Sequence, residues 1–227
     1  MNPFIEKTKQ KYNSVPFEDI KSEHFLPAVK HYIRKTEENI NQIISISNPD
    51  FENTILALDS ASEDLDYVVN VYHHLFGSEA DKDIRELIKK INPLTTKLFN
   101  DVFLNQDLFS QIEKVYNGID NLGNEEARLT EEVYSSFIRS GANLEDEKKS
   151  EYRKITEQLS SLSPQFSNNV LQATNSINDY WIDSFDDIVE LPENMVNSAK
   201  KKAEDKNKGD KWCFSLDTDF FILMRFC

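Results

Sequence analysis

The sequence is short of several things at once. Its 227 residues include five glycines, two cysteines and four histidines. The glycines stand at 77, 118, 123, 141 and 209, never closer than five positions apart. A dinucleotide-binding turn, a phosphate-binding P-loop and a nucleophile elbow all need closely spaced glycines, because backbone must approach a phosphate or bend through positive φ. Those classes are excluded. Two cysteines, Cys213 and Cys227, are too few for a disulfide framework and fit a reducing compartment. No run approaches the roughly 18 apolar residues of a membrane span, and Met1-Asn2-Pro3-Phe4-Ile5-Glu6 lacks the apolar core of a secretory signal. The expected compartment is the cytoplasm.

Positive charge is also scarce. Forty acids against 26 bases give a formal net charge of −14. Nucleic acids and anionic membranes are bound largely through neutralised phosphates, so neither is an expected partner. The one basic run, Lys200 to Lys211, has six lysines interrupted by Glu204, Asp205 and Asp210. It reads as a solvated helix face.

What is present is helical periodicity. Ser22 is the expected N-cap of a helix carrying Phe25, Leu26, Val29, Ile33, Thr36, Ile40, Ile43 and Ile44. Asp50 starts a second, with Ile55, Leu58, Leu65, Val68, Val69, Tyr72 and Phe76 on one face and a stop near Gly77. A third runs from about Glu79 through Ile84, Leu87, Ile88 and Ile91, and should bend at Pro93 before Leu94, Leu98 and Val102. Asn105 caps a short fourth helix with Leu108, Phe109, Ile112 and Val115. A fifth, about 124–140, stops at Gly141. The longest begins near Glu145 and carries Tyr152, Ile155, Leu159, Leu162, Phe166, Val170 and Leu171, with a kink or break expected at Pro164.

Near residue 176 the pattern changes. Ile177, Tyr180, Trp181 and Ile182 read as a strand, followed by Asp183, Asp186, Asp187, Glu190 and Glu193 in a solvated acidic loop. A polar helix of about 193–206 precedes a second strand over Lys211–Asp217. The tail Asp219–Cys227 is strongly apolar. The fold class is mainly α, with long antiparallel and kinked helices and a short β element near the C-terminus. Residues 1–175 form an N-terminal helical region and 176–227 begin a following subdomain.

The chemistry of a site is missing. Zinc on one helix face needs ligands at i and i+4, yet the residues four beyond His73 and His74 are Gly77 and Ser78. His24 and His31 are seven apart and would need remote partners. Tyr116, Tyr134 and Phe137 fall on helical spacing and belong to a core. No catalytic or metal-binding residue is assigned, and substrate-binding residues remain unassigned.

Several stretches, in order, nevertheless resemble one family. They are VPFEDIKSEHFLPAVKHYI (15–33), NPDFENTILALDSASEDLDYV (48–68), LNQDLFSQIEKVY (104–116) and RLTEEVYSSFIRSGANL (128–144). KKSEYRKITEQLSSLSPQFSNNVLQAT (148–174), ELPENMVNSAKKKA (190–203) and KWCFSLD (211–217) follow. Together these resemble the N-terminal part of the thimet oligopeptidase family, nearest to oligopeptidase A and peptidyl-dipeptidase. The resemblance implies a zinc metallopeptidase of short peptides, built as a neurolysin-like helical body split by a deep channel, with 22–46, 51–76 and 145–175 in one wall. It also implies that the HExxH helix lies beyond residue 227, so that this chain binds no cofactor and zinc belongs to the complete enzyme. Short peptides would be its substrates and a separately encoded catalytic half a candidate partner. After Asp217 the family continues with Pro-Ser; this chain reads Thr218-Asp219-Phe220, the ending of a truncated, frameshifted or split gene. Pro164 stands where the family keeps a helix former.

Overall fold

The computed structural model of the chain describes residues 2–6, 12, 14–78, 82–176 and 179–214. The expected start of the third helix at Glu79, Ile177, the end of the second strand at 215–217, Cys227 and the apolar tail lie outside the described residues. Helices dominate, as the periodicity implies: α1 (Ser22–Ile44), α2 (Ala57–Asp59), α3 (Glu63–Ser78), α4 (Lys82–Phe103), α5 (Gln106–Tyr116), α6 (Asn124–Arg139), α7 (Asp146–Ser176) and α8 (Glu193–Asp205). The short β element is an antiparallel pair, β1 (Tyr180–Ile182) and β2 (Trp212–Phe214), in the register Tyr180 with Phe214 and Ile182 with Trp212. Contacts divide the chain into two units, Met1–Leu162 and Ser163–Cys227.

Three expectations about helix ends need adjustment. Ser22 is the first residue of α1 rather than its cap; Lys21 holds the N-cap position. The His24 ring, at the third helical position, plays the part a glutamate plays in a capping box, its Nδ1 accepting from the Lys21 backbone N–H at 3.1 Å. The segment begun by Asp50 is not one helix. Asp50 does cap it, accepting from the Asn53 N–H at 2.8 Å, but Phe51–Leu56 winds as a π-helix and the chain turns at 60–62. There Ser62 donates to the Asp66 carboxylate at 2.7 Å and the Asp66 N–H returns to the Ser62 carbonyl at 2.8 Å. The second of these is already a helical bond, so α3 starts directly after the turn, with the Ser62–Asp66 side-chain pair across its first turn. Finally, helical structure is continuous through Pro93 and Pro164, so the break allowed for at Pro164 does not occur.

The other ends are as the residues imply. Asn105 caps α5 by accepting from the Leu108 N–H at 2.9 Å. Helix α6 stops at Gly141, where φ is +90°. The Ala142 N–H reaches the Phe137 carbonyl and the Gly141 N–H reaches Ile138, the paired bonds of a Schellman stop. A Cβ at 141 would crowd only the end of the exposed Leu144 side chain, at 2.7 Å, so it is the backbone conformation that requires glycine.

The first unit has two cores joined through α1. Phe25, Val29 and Tyr32 face one, with Leu65, Val68 and Tyr72 of α3 and Ile84, Ile88 and Ile91 of α4. Ile40 and Ile43, farther along α1, face the other, with Ile55, with Leu108 and Ile112 of α5 and with Phe137 of α6. Phe25 is wholly buried between Phe4, at 5.0 Å between ring centroids, and Tyr72, at 5.5 Å. The Tyr72 hydroxyl donates to the Ile84 carbonyl at 3.0 Å, and burial pushes its pKa up to about 12.

The second unit is small. Ile188, Leu191, Ala199 and Phe214 form its core, with Trp212 and Ile182 against it. The lysine run is less of a solvated face than its composition implies. Lys206 bonds Asp179 at 2.6 Å, Lys202 lies 3.6 Å from the same carboxylate, and Lys211 reaches Asp183 at 2.6 Å. Lys200 stands 4.1 Å over the Trp212 ring and Lys208 4.4 Å over Trp181. The lysines therefore fasten α8 and its following loop to the β pair.

Truncating Phe25 to alanine removes the ring shared by Phe4 and Tyr72. The expected cost is about 3–5 kcal/mol, read as a lowered midpoint in urea unfolding with an unchanged slope.

Candidate functional site

None of the four histidines meets another to form a site. His24 is occupied at the start of α1. His31 sets its ring against Tyr32 and His73 against Tyr72, at 5.0 and 5.3 Å between centroids. His74 lies 6.0 Å from the Phe17 ring. Desolvation lowers the His73 pKa, favouring the neutral ring. Among the described residues no group of three His, Cys, Asp or Glu side chains is placed to hold a metal ion. The residues present do not fit zinc. Cys213 is buried, and burial first, then Asp179 at 3.5 Å, raises its thiol pKa, the opposite of an activated nucleophile. No helix of the described residues is long and apolar enough to cross a membrane.

Two features of the first unit stand out instead. The first is a groove of about 580 Å³ between α1, the α2–α3 segment, α4 and α6. Its floor includes Ile40, Leu65, Leu98 and Phe137, all buried. Leu129 and Val133 line one wall at helical spacing, and Val102 and Phe103 the opposite one. Phe99, 45% exposed, lies tilted against Phe103 at 4.2 Å between ring centroids. From Phe103 the aromatic contacts pass inward to Phe137 at 4.7 Å. The charged residues of the lining are Asp59, Asp66 and Glu132, with no lysine or arginine. The sequence placed several of these residues on apolar helix faces. It did not show that α3 would restart at Glu63, which brings Ser62 and Asp66 into the lining.

The second feature is the seating of α7. Within the first unit its contact with α4 and α5 is polar. Asn100, fully buried, donates to Thr156 Oγ1 at 2.8 Å. Arg153 reaches Asp101 at 2.6 Å and Lys149 reaches Gln106 at 3.0 Å. Lys97, one turn before Asp101, donates to its other oxygen at 2.5 Å. Meanwhile Ile155, Leu159 and Leu162 are about half exposed. The apolar row of the longest helix faces outward here, because Lys149, Arg153 and Thr156 turn to Gln106, Asp101 and the buried Asn100.

Comparison with known proteins bears on what this framework belongs to. No family model matches the chain. Over 95% of its length it is 26% identical to dipeptidyl carboxypeptidase of Escherichia coli strain K12. Over 93% it is 28% identical to oligopeptidase A of Haemophilus influenzae. These peptidases are homologues of the chain along nearly its whole length. The chain is also 23% identical, over 97% of its length, to a probable cytosolic oligopeptidase A of Arabidopsis thaliana. The chain spans about a third of these relatives: 32, 31 and 32% of their respective lengths.

The α7 seam carries a pH dependence. Burial alone would raise the Asp101 pKa, but hydrogen bonds from Lys97 and Arg153 outweigh it and hold the carboxyl below its ordinary 3.8. A depressed pKa stabilises the fold above the unfolded value, and that contribution is lost as pH falls through the folded value. Asp101→Asn should therefore be less stable than the parent near neutrality. The gap should shrink below about pH 4 and close at lower pH, as followed by thermal unfolding at a series of pH values.

Proposed function

We propose that this chain is the N-terminal portion of an oligopeptidase A or peptidyl-dipeptidase-like zinc metallopeptidase, contributing a wall of the channel in which short peptides are hydrolysed. The observation that carries this reading is similarity along nearly the whole chain to several peptidases, each about three times as long. In the complete enzyme zinc would polarise the scissile carbonyl and activate water. The described residues form no zinc site, so no step of that chemistry is assigned to them. We infer that the chain alone is inactive, that its working form includes a catalytic region bearing HExxH, and that it acts in the cytoplasm.

The uncovered face of α7 supports a second reading, in which this chain is one half of a split peptidase or a non-enzymatic helical interaction module. Ile155, Leu159 and Leu162 are then contacts to a separate polypeptide.

The decisive assay incubates purified chain with an internally quenched short peptide, with and without added zinc. No hydrolysis above the blank is expected. Cleavage that co-purifies with the chain and is abolished by a chelator would overturn the assignment of inactivity.

A further inference from the structure

The lining of the groove in the first unit specifies the chemistry of an occupant independently of the peptidase reading. Three helices turn apolar rows toward one space. Leu65 and Val69 of α3 are four residues apart; Leu98 and Val102 of α4 are also four apart; Leu129, Val133 and Phe137 of α6 follow the same step. Leu65, Leu98 and Phe137 are buried and form the floor, while Val69, Val102, Leu129 and Val133 are only partly buried and offer apolar surface at one-turn spacing to an incoming helix. At about 580 Å³ the space holds several large side chains and lies within the range of specific binding sites. Phe99 adds an exposed aromatic to the lining, set against Phe103, and rigid aromatics in such positions anchor bound segments.

Charge narrows the choice. The lining holds three carboxylates and no cation. Asp66 is oriented by Ser62, and Glu132 meets Arg128 only through an exposed pair at 3.0 Å, which water weakens. A second copy of this chain would bring its own net charge of −14 to this acidic rim, so like-charge repulsion opposes self-association. Cationic flanks on the occupant match both the rim and the chain as a whole.

We propose that this groove binds an amphipathic helix of another polypeptide, its apolar face seated between α3, α4 and α6 and its flanking lysines or arginines meeting Asp59, Asp66 and Glu132. Recognition is by helix in groove, with apolar anchors one turn apart giving affinity and the acidic rim giving orientation and rate.

The probe is a fluorescein-labelled synthetic Leu/Lys peptide with leucines at i, i+3, i+4 and i+7, titrated with the intact chain and read by anisotropy. Two controls are a Leu/Glu peptide of the same pattern and a Leu/Lys peptide of the same composition with the leucines dispersed. Micromolar binding of the patterned Leu/Lys peptide is expected, at least about tenfold tighter than either control and weakening as salt rises. Phe99→Ala should weaken it about tenfold or more. The pair Asp59→Asn with Glu132→Gln should weaken it less and flatten the salt dependence. Val189→Glu, at an exposed position of the second unit, should leave it unchanged. Circular dichroism melts of each variant establish that folding is intact, and Phe99 and Glu132 are exposed enough to change without loss of the core. Equal binding of the dispersed peptide, indifference to Phe99→Ala, or loss on Val189→Glu would each overturn the proposal. So would tight binding of the Leu/Glu peptide, or a concentration-dependent dimer that Phe99→Ala dissolves.

Discussion

Everything in the first unit depends on the apolar stripe of α1 being long enough to serve two cores. Phe25, Val29 and Tyr32 occupy its first half, and Ile40 and Ile43 its second. The burial of these side chains is the main favourable term, at about 25 cal/mol per Å² of apolar surface. Hydrogen bonds then fix what the stripe has gathered. The Tyr32 hydroxyl donates to the Phe4 carbonyl at 2.7 Å, tying the N-terminal turn onto α1. Gln111, itself buried, donates to the carbonyls of Ile44 and Ile46 at 2.8 Å each. Those carbonyls lie at the C-terminal end of α1, where helical partners run out. One helix thus sets the position of four others, and the groove between α1, α3, α4 and α6 follows from that arrangement.

Much of this was legible because glycine and proline are scarce and apolar residues recur at three and four. The Asn105 cap, the Gly141 stop, α8 and the two short strands all sit where their residues put them. The break at 60–62 was not legible. Leu58 and Leu65 continue one helical row seven residues apart, and no glycine or proline between them marks the turn at 60–62. The cap of α1 was misplaced by one residue because a histidine three positions on, rather than a hydroxyl at the cap, completes the helix start.

Side chains whose meaning depends on distant partners were the least legible. Lys200 to Lys211 has the composition of a solvated face, yet its members find Asp179, Trp181 and Asp183 some 20 to 30 positions earlier and Trp212 twelve positions later. Likewise the histidines could be excluded as ligands of a single helix from spacing alone, while the meeting of His74 with Phe17 required the fold. The family likeness, carried by ordered stretches along the chain, was legible without the structure.

The polar seam beneath α7 has a mechanical consequence. Groups such as Thr156, Arg153 and Lys149 are nearly as well served by water as by Asn100, Asp101 and Gln106. A contact of that kind specifies register through direction as well as distance, whereas an apolar seam adheres strongly while tolerating exchange of one side chain for another. The first half of α7 is therefore indexed to α4 and α5 more than it is glued to them.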